Sequence, residues 1–222
     1  MMLKLDRQVG DLIATLEADG LDDNTVVFLC GDNGGEDYFA DEAHPRGFFA
    51  PNVDPKTGVE FRGQKRHLWE GGLRVPTMAR WPGQIEAGRS SDLLWYFPDV
   101  FPTLVELARG IVPDGVDGIS ILPTLLGEGE QKHHEALYWE FGGQTAVRLG
   151  DWKAVRYRPK QPWRLYDLSN DISETTDVAD RHPDIVERAK AIAKREHTPA
   201  QPGEIHDREL AQKDGWVPVK KR

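Results

Sequence analysis

The sequence predicts an α/β chain in which a helix and two buried strands precede a small antiparallel sheet with a packed helix. An apolar helical repeat near the N-terminus leads into an unbroken apolar run at residues 26–30. Five apolar residues bounded by turn formers are typical of a strand buried on both faces. From about residue 134, short aromatic-rich segments separated by Gly, Asp or Pro indicate antiparallel strands.

The N-terminal part is predicted to alternate helix and strand. The first helix carries apolar side chains at helical spacing, at Leu5, Val9, Leu12, Ile13 and Leu16. Gly20 lies where a C-cap glycine belongs. Residues 34–63 lack periodicity and predict a long loop, and residues 75–81 predict a second strand, parallel to the first. A helix is predicted over 97–108, with the apolar residues Val100, Leu104 and Leu107 on one face.

The C-terminal part is predicted to be a small subdomain of local pairings. Its expected strands are 136–141, 145–149, 152–157 and 164–167. A helix marked by Ile185, Ala189 and Ile192 follows, with Asp184 as its expected N-cap. The predicted division is therefore residues 1–130, residues 131–200 and a polar tail over 201–222.

A candidate site follows the first strand. Ligands bind beyond the carboxyl ends of strands in open α/β sheets, so Asp32 and Asn33 are placed at the mouth of a site. Their oxygens suit Ca²⁺ or Mg²⁺, and Lys65 offers a cation for an oxyanion. The alternatives are an ordinary Asp-Asn-Gly turn and a solvated lysine. Cys30, in strand context, is expected to be an inert core thiol.

A series of motifs resembles the sulfatase family of the arylsulfatase A type, within the alkaline-phosphatase-like superfamily. Lys65 stands five residues before Glu70-Gly71-Gly72, as in that family's sulfate-binding motif. The other matching segments are Asp32-Asn33, residues 76–83, 99–104, 150–153 and 165–168. The resemblance covers about residues 3–200 and only the second half of that family's proteins. It implies a partial alkaline-phosphatase-like sheet with a small C-terminal antiparallel subdomain.

The resemblance also implies roles for individual residues. Asp32 and Asn33 would be ligands of Ca²⁺, with Mg²⁺ possible, and Lys65 a catalytic and sulfate-binding lysine of a sulfuric ester hydrolase. His67 would touch substrate or donate a proton, against the alternative of a partly exposed loop histidine. His44, in the long loop, could tune substrate choice. Glu70 and Arg74 are expected to form a structural ion pair rather than to act in catalysis.

Two features of the family are not identified in the sequence. One is the N-terminal Asp-Asp pair of metal ligands, and the other is a Cys or Ser followed by x-Pro-Ser-Arg or x-Pro-Ala-Arg, which becomes the formylglycine nucleophile. We therefore expect a C-terminal sulfatase fragment that is inactive alone, with formylglycine only in the missing half. The alternatives are a subunit that pairs with a complementary N-terminal half, and a phosphoesterase or phosphonate hydrolase of the same superfamily.

Composition limits the partners further. The chain has 222 residues and a formal net charge of −9, which argues against nucleic acid held by bulk electrostatics. A single cysteine excludes an internal disulfide. No apolar run approaches the ~20 residues of a membrane span, and no signal peptide is recognised, although many bacterial sulfatases are exported. The expected partner is a sulfate ester. The sequence does not identify the alcohol part of that ester, and it does not identify the cellular compartment.

Overall fold

The computed structural model falls into two compact units. It describes residues 2–36, 42–43, 52–54 and 56–199. The described residues of Met1–Gly31 and Pro76–His134 form what we call the first unit, and those of Asp32–Val75 and Glu135–Arg222 form the second unit. Among the described residues, no helix is long and apolar enough to cross a bilayer.

The first unit begins with a helix that ends as the sequence predicts. Its elements are α1 (Met2–Ala18), β1 (Val27–Cys30), β2 (Thr77–Arg80), α3 (Val100–Leu107) and α4 (Leu122–Leu126). Gly20 adopts a positive φ of 66°, and the Leu21 amide donates to the Leu16 carbonyl at 2.9 Å. This Schellman arrangement satisfies the last carbonyls of α1 and confirms the predicted C-cap.

The strands β1 and β2 form a two-stranded antiparallel sheet, with Val27 opposite Arg80 and Cys30 opposite Thr77. The predicted parallel orientation of these two strands is therefore wrong. An apolar run predicts burial and carries no information on the direction of its neighbour, and parallel neighbours need a crossover connection. Here the segment between β1 and β2 is not such a crossover, because residues Asp32–Val75 belong to the second unit. Cys30 is exposed at the end of β1, so the predicted core thiol is also wrong.

Polar contacts decide which face of α3 is buried. A short 3-10 turn precedes the helix, and Pro102 and Thr103 are buried while Leu104 remains 44% exposed. The hydroxyl of Thr103 donates to the Asp99 carbonyl at 2.6 Å and accepts from the Ile121 amide at 2.9 Å. On the predicted apolar face, Val100 and Leu107 are half-buried beside Thr103, whereas Leu104 is exposed. The short helix α4 was not predicted from the sequence.

The second unit confirms the predicted antiparallel sheet and packed helix. Its elements are α2 (Glu70–Leu73), β3 (Leu137–Phe141), β4 (Gln144–Leu149), β5 (Trp152–Arg156), β6 (Arg164–Asp167) and α5 (Pro183–Glu196). The four strands pair antiparallel in sequence order. Asp184 is not the N-cap of α5: His182 holds that position and Pro183 is the first helical residue. Asp184 lies in the first turn, where a carboxylate complements the helix dipole.

The sheet of the second unit is covered on both faces. On one face, Val147, Ala154 and Leu165 pack against α5 through Ala189 and Ile192. On the other face, a second cluster includes residues of the segment before α2, and its members are Leu68, Trp69, Ala146, Val155, Tyr166 and Leu168. Alternate residues of each strand point to opposite faces, so one sheet has two apolar sides. Residues 61–73 are thereby fixed on the sheet.

Candidate functional site

The predicted metal ligands follow β1 directly. Asp32 is exposed and Asn33 is half-buried. In the part of the chain that the structure describes, neither side chain makes a hydrogen bond or an ion pair. No described residue occupies either side chain, so both are available to bind a ligand.

Backbone hydrogen bonds hold the segment after Asn33 against the segment that carries Lys65. The Gly34 amide donates to the Gly72 carbonyl at 3.0 Å, and the Lys65 amide donates to the Gly35 carbonyl at 2.8 Å. Asn52 joins them: its Oδ1 accepts from the Gly35 amide at 3.1 Å, and its Nδ2 donates to the carbonyl of Gly71. The residues predicted as metal ligands and as sulfate ligand thus stand on adjacent, hydrogen-bonded segments.

This contact has no room for side chains at its glycines. A Cβ on Gly34 would lie 1.7 Å from the Gly71 carbonyl oxygen, and a Cβ on Gly72 would lie 2.0 Å from the His67 carbonyl oxygen. Contacts this short force the backbone apart. The Gly71-Gly72 pair therefore lets two backbones approach closely beside Lys65, which is the role glycine serves where a chain must pass near another.

Glu70 is a buried carboxylate that anchors the two hydrogen-bonded segments, Asn33–Gly35 and Lys65–Gly72, which we call the frame. Its side chain is 5% exposed, and its carboxylate lies 2.8 Å from Lys153 Nζ, 2.9 Å from Arg74 Nη2 and 3.4 Å from Arg148 Nη1. Burial favours the neutral acid, but the charges of these three cations outweigh it and lower the pKa of Glu70 to about 2. The ion pair predicted between Glu70 and Arg74 is confirmed, and it belongs to a larger network.

Glu174 is a second buried carboxylate that the sequence did not reveal. It has a positive φ of 53° and no exposed surface, and its Oε2 accepts from the Glu70 amide at 2.6 Å. Lys153 Nζ lies 3.0 Å from its other oxygen. Burial raises the pKa of Glu174, the charge of Lys153 opposes that shift, and the charge of Glu70 adds to it. The one available signal was a lysine inside a strand whose neighbours are apolar, since an unpaired buried lysine is rare.

Lys65 and His67 flank a turn at the edge of this frame. Lys65 is exposed, and its side chain makes no hydrogen bond or ion pair among the described residues. Between them, Arg66 has a positive φ of 73° and pairs with Glu36 at 2.7 Å. The His67 ring stands edge-on to Tyr157, with centroids 6.0 Å apart. The roles assigned to Lys65 and His67 stay predictions, and His44 lies outside the described residues.

The side chains of Asp32 and Asn33 fit a divalent cation only in part. Asp32 and Asn33 supply two oxygen-bearing side chains, whereas Ca²⁺ takes 6–8 oxygen ligands. Within the described residues, no group of three or more His, Cys, Asp or Glu side chains is arranged to hold a metal. The one Asp-Asp pair in the sequence begins at Asp22, whose carboxylate is bound by Arg80. Asp32 and Asn33 therefore suit one side of a metal shell and do not complete it.

Comparison with known proteins identifies the class of protein that this fold and site define. The Sulfatase family model matches residues 1–111, and the model for the C-terminal part of N-sulphoglucosamine sulphohydrolase matches residues 61–196. The two models together span both units. The chain belongs to the sulfatase family.

Individual relatives agree in fold and sequence. Steryl-sulfatase of Rattus norvegicus is 34% identical over 169 residues, which cover 70% of this chain and 27% of that protein. N-acetylgalactosamine-6-O-sulfatase of Bacteroides thetaiotaomicron is 30% identical over 204 residues, covering 84% of this chain and 39% of the relative. The solved structure of Ps i-CgsB with k-i-k-neocarrahexaose superposes with a TM-score of 0.74 at 26% identity, covering 97% of this chain and 46% of that one. The chain thus spans less than half the length of these proteins.

Proposed function

We propose that this chain forms the sulfate-holding side of a sulfuric ester hydrolase site. The observation that carries the proposal is the hydrogen-bonded contact between the Asn33–Gly35 and Lys65–Gly72 segments. Asp32, Asn33 and Lys65 lie on or next to these joined segments, and their side chains make no hydrogen bond or ion pair among the described residues. The ion pair between Glu70 and Lys153 supports the proposal, because it ties the second segment to the sheet. The names of two relatives, steryl-sulfatase and N-acetylgalactosamine-6-O-sulfatase, support a sulfate ester as the substrate class.

Each side chain has a distinct task in this proposal. The Lys65 ammonium offsets negative charge on the sulfuryl oxygens as it grows in the transition state. Asp32 and Asn33 hold one side of a Ca²⁺ or Mg²⁺ ion, which when bound polarises the sulfate oxygens. His67, two residues beyond Lys65, contacts the ester side of the substrate or supplies a proton to the departing alcohol.

The chain's own residues do not supply the nucleophile in this proposal. Cys30 is followed by Gly31-Asp32-Asn33, and the serines lack the Pro-containing context of a formylglycine precursor. We therefore propose that this polypeptide alone binds sulfate without hydrolysing sulfate esters. Hydrolysis would need a complementary sulfatase half that carries formylglycine and the remaining metal ligands.

Titration calorimetry of the purified chain with sulfate and with Ca²⁺ tests the proposal. We expect weak sulfate binding that Lys65→Ala reduces about tenfold, because a charged hydrogen bond contributes ~1.5–3 kcal/mol. We expect weak Ca²⁺ binding that Asp32→Ala removes. The control is Lys132→Ala, since Lys132 is an exposed lysine of the first unit.

Three results would contradict the proposal or part of it. Metal-dependent turnover of an aryl sulfate above the Lys65→Ala background would show that the chain is catalytically complete. Submicromolar Ca²⁺ affinity lost in Asp32→Ala would show that further carboxylates complete the metal shell. Tighter Lys65-dependent binding of inorganic phosphate or a phosphonate than of sulfate would favour the phosphoesterase alternative.

A further inference from the structure

A groove runs along α5 on the sheet face opposite to the one that holds residues 61–73. Two adjoining cavities of about 530 and 450 Å³ form it, and both are lined by Arg156, Pro159, Trp163 and Lys190. We call it the α5 groove. It follows the helix from Pro183 towards its C-terminal end, a length of about 20 Å at ~1.5 Å per residue. A long, half-open groove of this kind suits an extended ligand better than a compact one.

Arg156 lies where the two cavities meet and is not committed to a carboxylate. Its Nη2 donates to Thr145 Oγ1 at 3.1 Å, and its guanidinium lies 5.3 Å from the centre of the Trp163 ring. Its Nε is buried and has no hydrogen-bond partner among the described residues, where it also makes no ion pair. The guanidinium therefore carries a charge that no carboxylate of the described residues pairs with, and an anion in the groove would complement it.

The acids of the groove are largely occupied by neighbours. Glu140 Oε2 accepts from the Tyr138 hydroxyl at 2.6 Å and lies 2.7 Å from His197 Nδ1. Glu187 pairs with Lys190 at 2.6 Å. Asp180 lines only the first cavity. Lys194 lines only the second cavity, and it makes no ion pair within the described residues. The middle and one end of the groove therefore favour an anion.

We propose that the α5 groove is a second binding site, which takes a sulfated saccharide with a sulfate group on Arg156 and a sugar ring against Trp163. The guanidinium fork matches the geometry of tetrahedral oxyanions, and the indole offers a broad apolar surface with a polar edge. The sulfated character of the ligand rests on the proposed function, while the location and the donors come from the groove itself. Such a site would hold an extended sulfated substrate away from the reacting ester.

The net charge of the chain makes this proposal specific. With a formal charge of −9, the protein as a whole repels polyanions. Capture of a sulfated chain therefore needs a local arrangement of donors and cannot result from bulk attraction. Binding that depends on Arg156 would distinguish such a local site from diffuse electrostatics.

The experiment is calorimetric titration of the full chain with a short dextran sulfate, with neutral dextran of the same length and with a polyglutamate peptide. We expect saturable binding of dextran sulfate alone, about tenfold weaker in Arg156→Gln because one charged hydrogen bond is lost. Lys194→Gln should weaken binding severalfold. Arg188→Gln, which removes an exposed arginine of α5 outside the groove, should leave it unchanged.

Several outcomes would overturn the proposal. These are no saturable binding, and equal binding by wild type and both groove variants. Polyglutamate that binds as tightly as dextran sulfate would show that the groove takes an acidic peptide instead. If Arg156→Gln fails to fold, Lys194→Gln decides, because Lys194 is exposed. Loss of the groove site with Lys65-dependent sulfate binding intact would leave the proposed function standing.

Discussion

The two units differ in what they bury. Among the apolar side chains described as buried, Ile121 and Pro102 belong to the first unit, and the others belong to the second unit. The first unit instead exposes most of the large apolar side chains that are accessible, with Ile111 at 93%, Leu3 at 81% and Met78 at 60%. The hydrophobic effect that stabilises a fold scales with apolar area removed from water, so the second unit holds most of the stability.

The difference shows where a self-sufficient fold ends within this chain. The second unit joins strands by short turns, covers both sheet faces and pairs its buried charges. The first unit has a two-stranded sheet, and isolated two-stranded sheets are marginal in water. The candidate site lies in the more stable unit, so Asp32, Asn33 and Lys65 are held even if the first unit opens.

The largest expected effect comes from the buried charge network of the second unit. Lys153→Met leaves the Glu70 and Glu174 carboxylates buried without their shared cation, which should cost about 3–5 kcal/mol. Urea denaturation followed by hydrogen exchange of the sheet amides measures it. Lys190→Met is the control, because its exposed pair with Glu187 contributes less than about 1 kcal/mol. Equal losses in the two variants would show that the network does not hold the unit together.

Acid should destabilise the second unit through Glu70. The ordinary pKa of this carboxyl is 4.5 and its folded value is about 2, so its stabilisation is complete above pH 4.5 and is lost as the pH falls towards 2. The loss amounts to about 3 kcal/mol at ~1.4 kcal/mol per pKa unit. The raised pKa of Glu174 acts in the opposite direction and offsets part of it.

Urea midpoints between pH 2 and 7 measure this dependence. We expect Glu70→Gln to be less stable than wild type at neutral pH and to lose less stability on acidification. The exposed Glu187→Gln should follow the wild-type profile. A Glu70→Gln profile parallel to that of wild type would contradict the assignment of the acid sensitivity to this carboxyl.

Glycine substitutions should have opposite signs in the two units. Gly72→Ala places a Cβ 2.0 Å from the His67 carbonyl oxygen and should destabilise the second unit by roughly 1–3 kcal/mol. Gly10→Ala lies in α1, where nothing lies within 4 Å of the new Cβ, and should stabilise that helix by roughly 0.5–1 kcal/mol. Thermal unfolding of both variants tests the contrast. A Gly72→Ala variant as stable as wild type would mean that the close backbone approach at Gly72 is dispensable.

The smallest effect on stability is expected on the exposed face of α1. Leu5→Gln with Leu12→Gln replaces side chains that are 47% and 52% exposed, so the free energy of unfolding should change by less than about 0.5 kcal/mol per site. Self-association of the chain should fall, and light scattering on a size-exclusion column measures it.

In limited proteolysis of wild type, residues of the second unit should survive longest. A wild-type chain that is monomeric at high concentration and equally protected in both units would contradict the comparison.

The sequence determined the local elements wherever a pattern repeats over short distances. The strands of the second unit and the presence of α5 follow from alternation, turn residues and helical spacing, because hairpin partners are close in sequence. The helix α1 and its glycine C-cap were predictable for the same reason. The sequence also identified the candidate residues Asp32, Asn33 and Lys65. Oxygen-bearing side chains after a strand, followed by a lysine before Glu-Gly-Gly, occur in this order in the sulfatase family.

Only the tertiary structure decided what distant residues do to each other. The direction of β2 against β1, the exposure of Cys30 and the burial of Thr103 depend on neighbours far along the chain. Glu174 meets Glu70 across 104 positions, and no short-range pattern encodes that contact. Burial turns such long-range pairs into strong interactions, since charges removed from water must be matched by partners that the fold alone brings together.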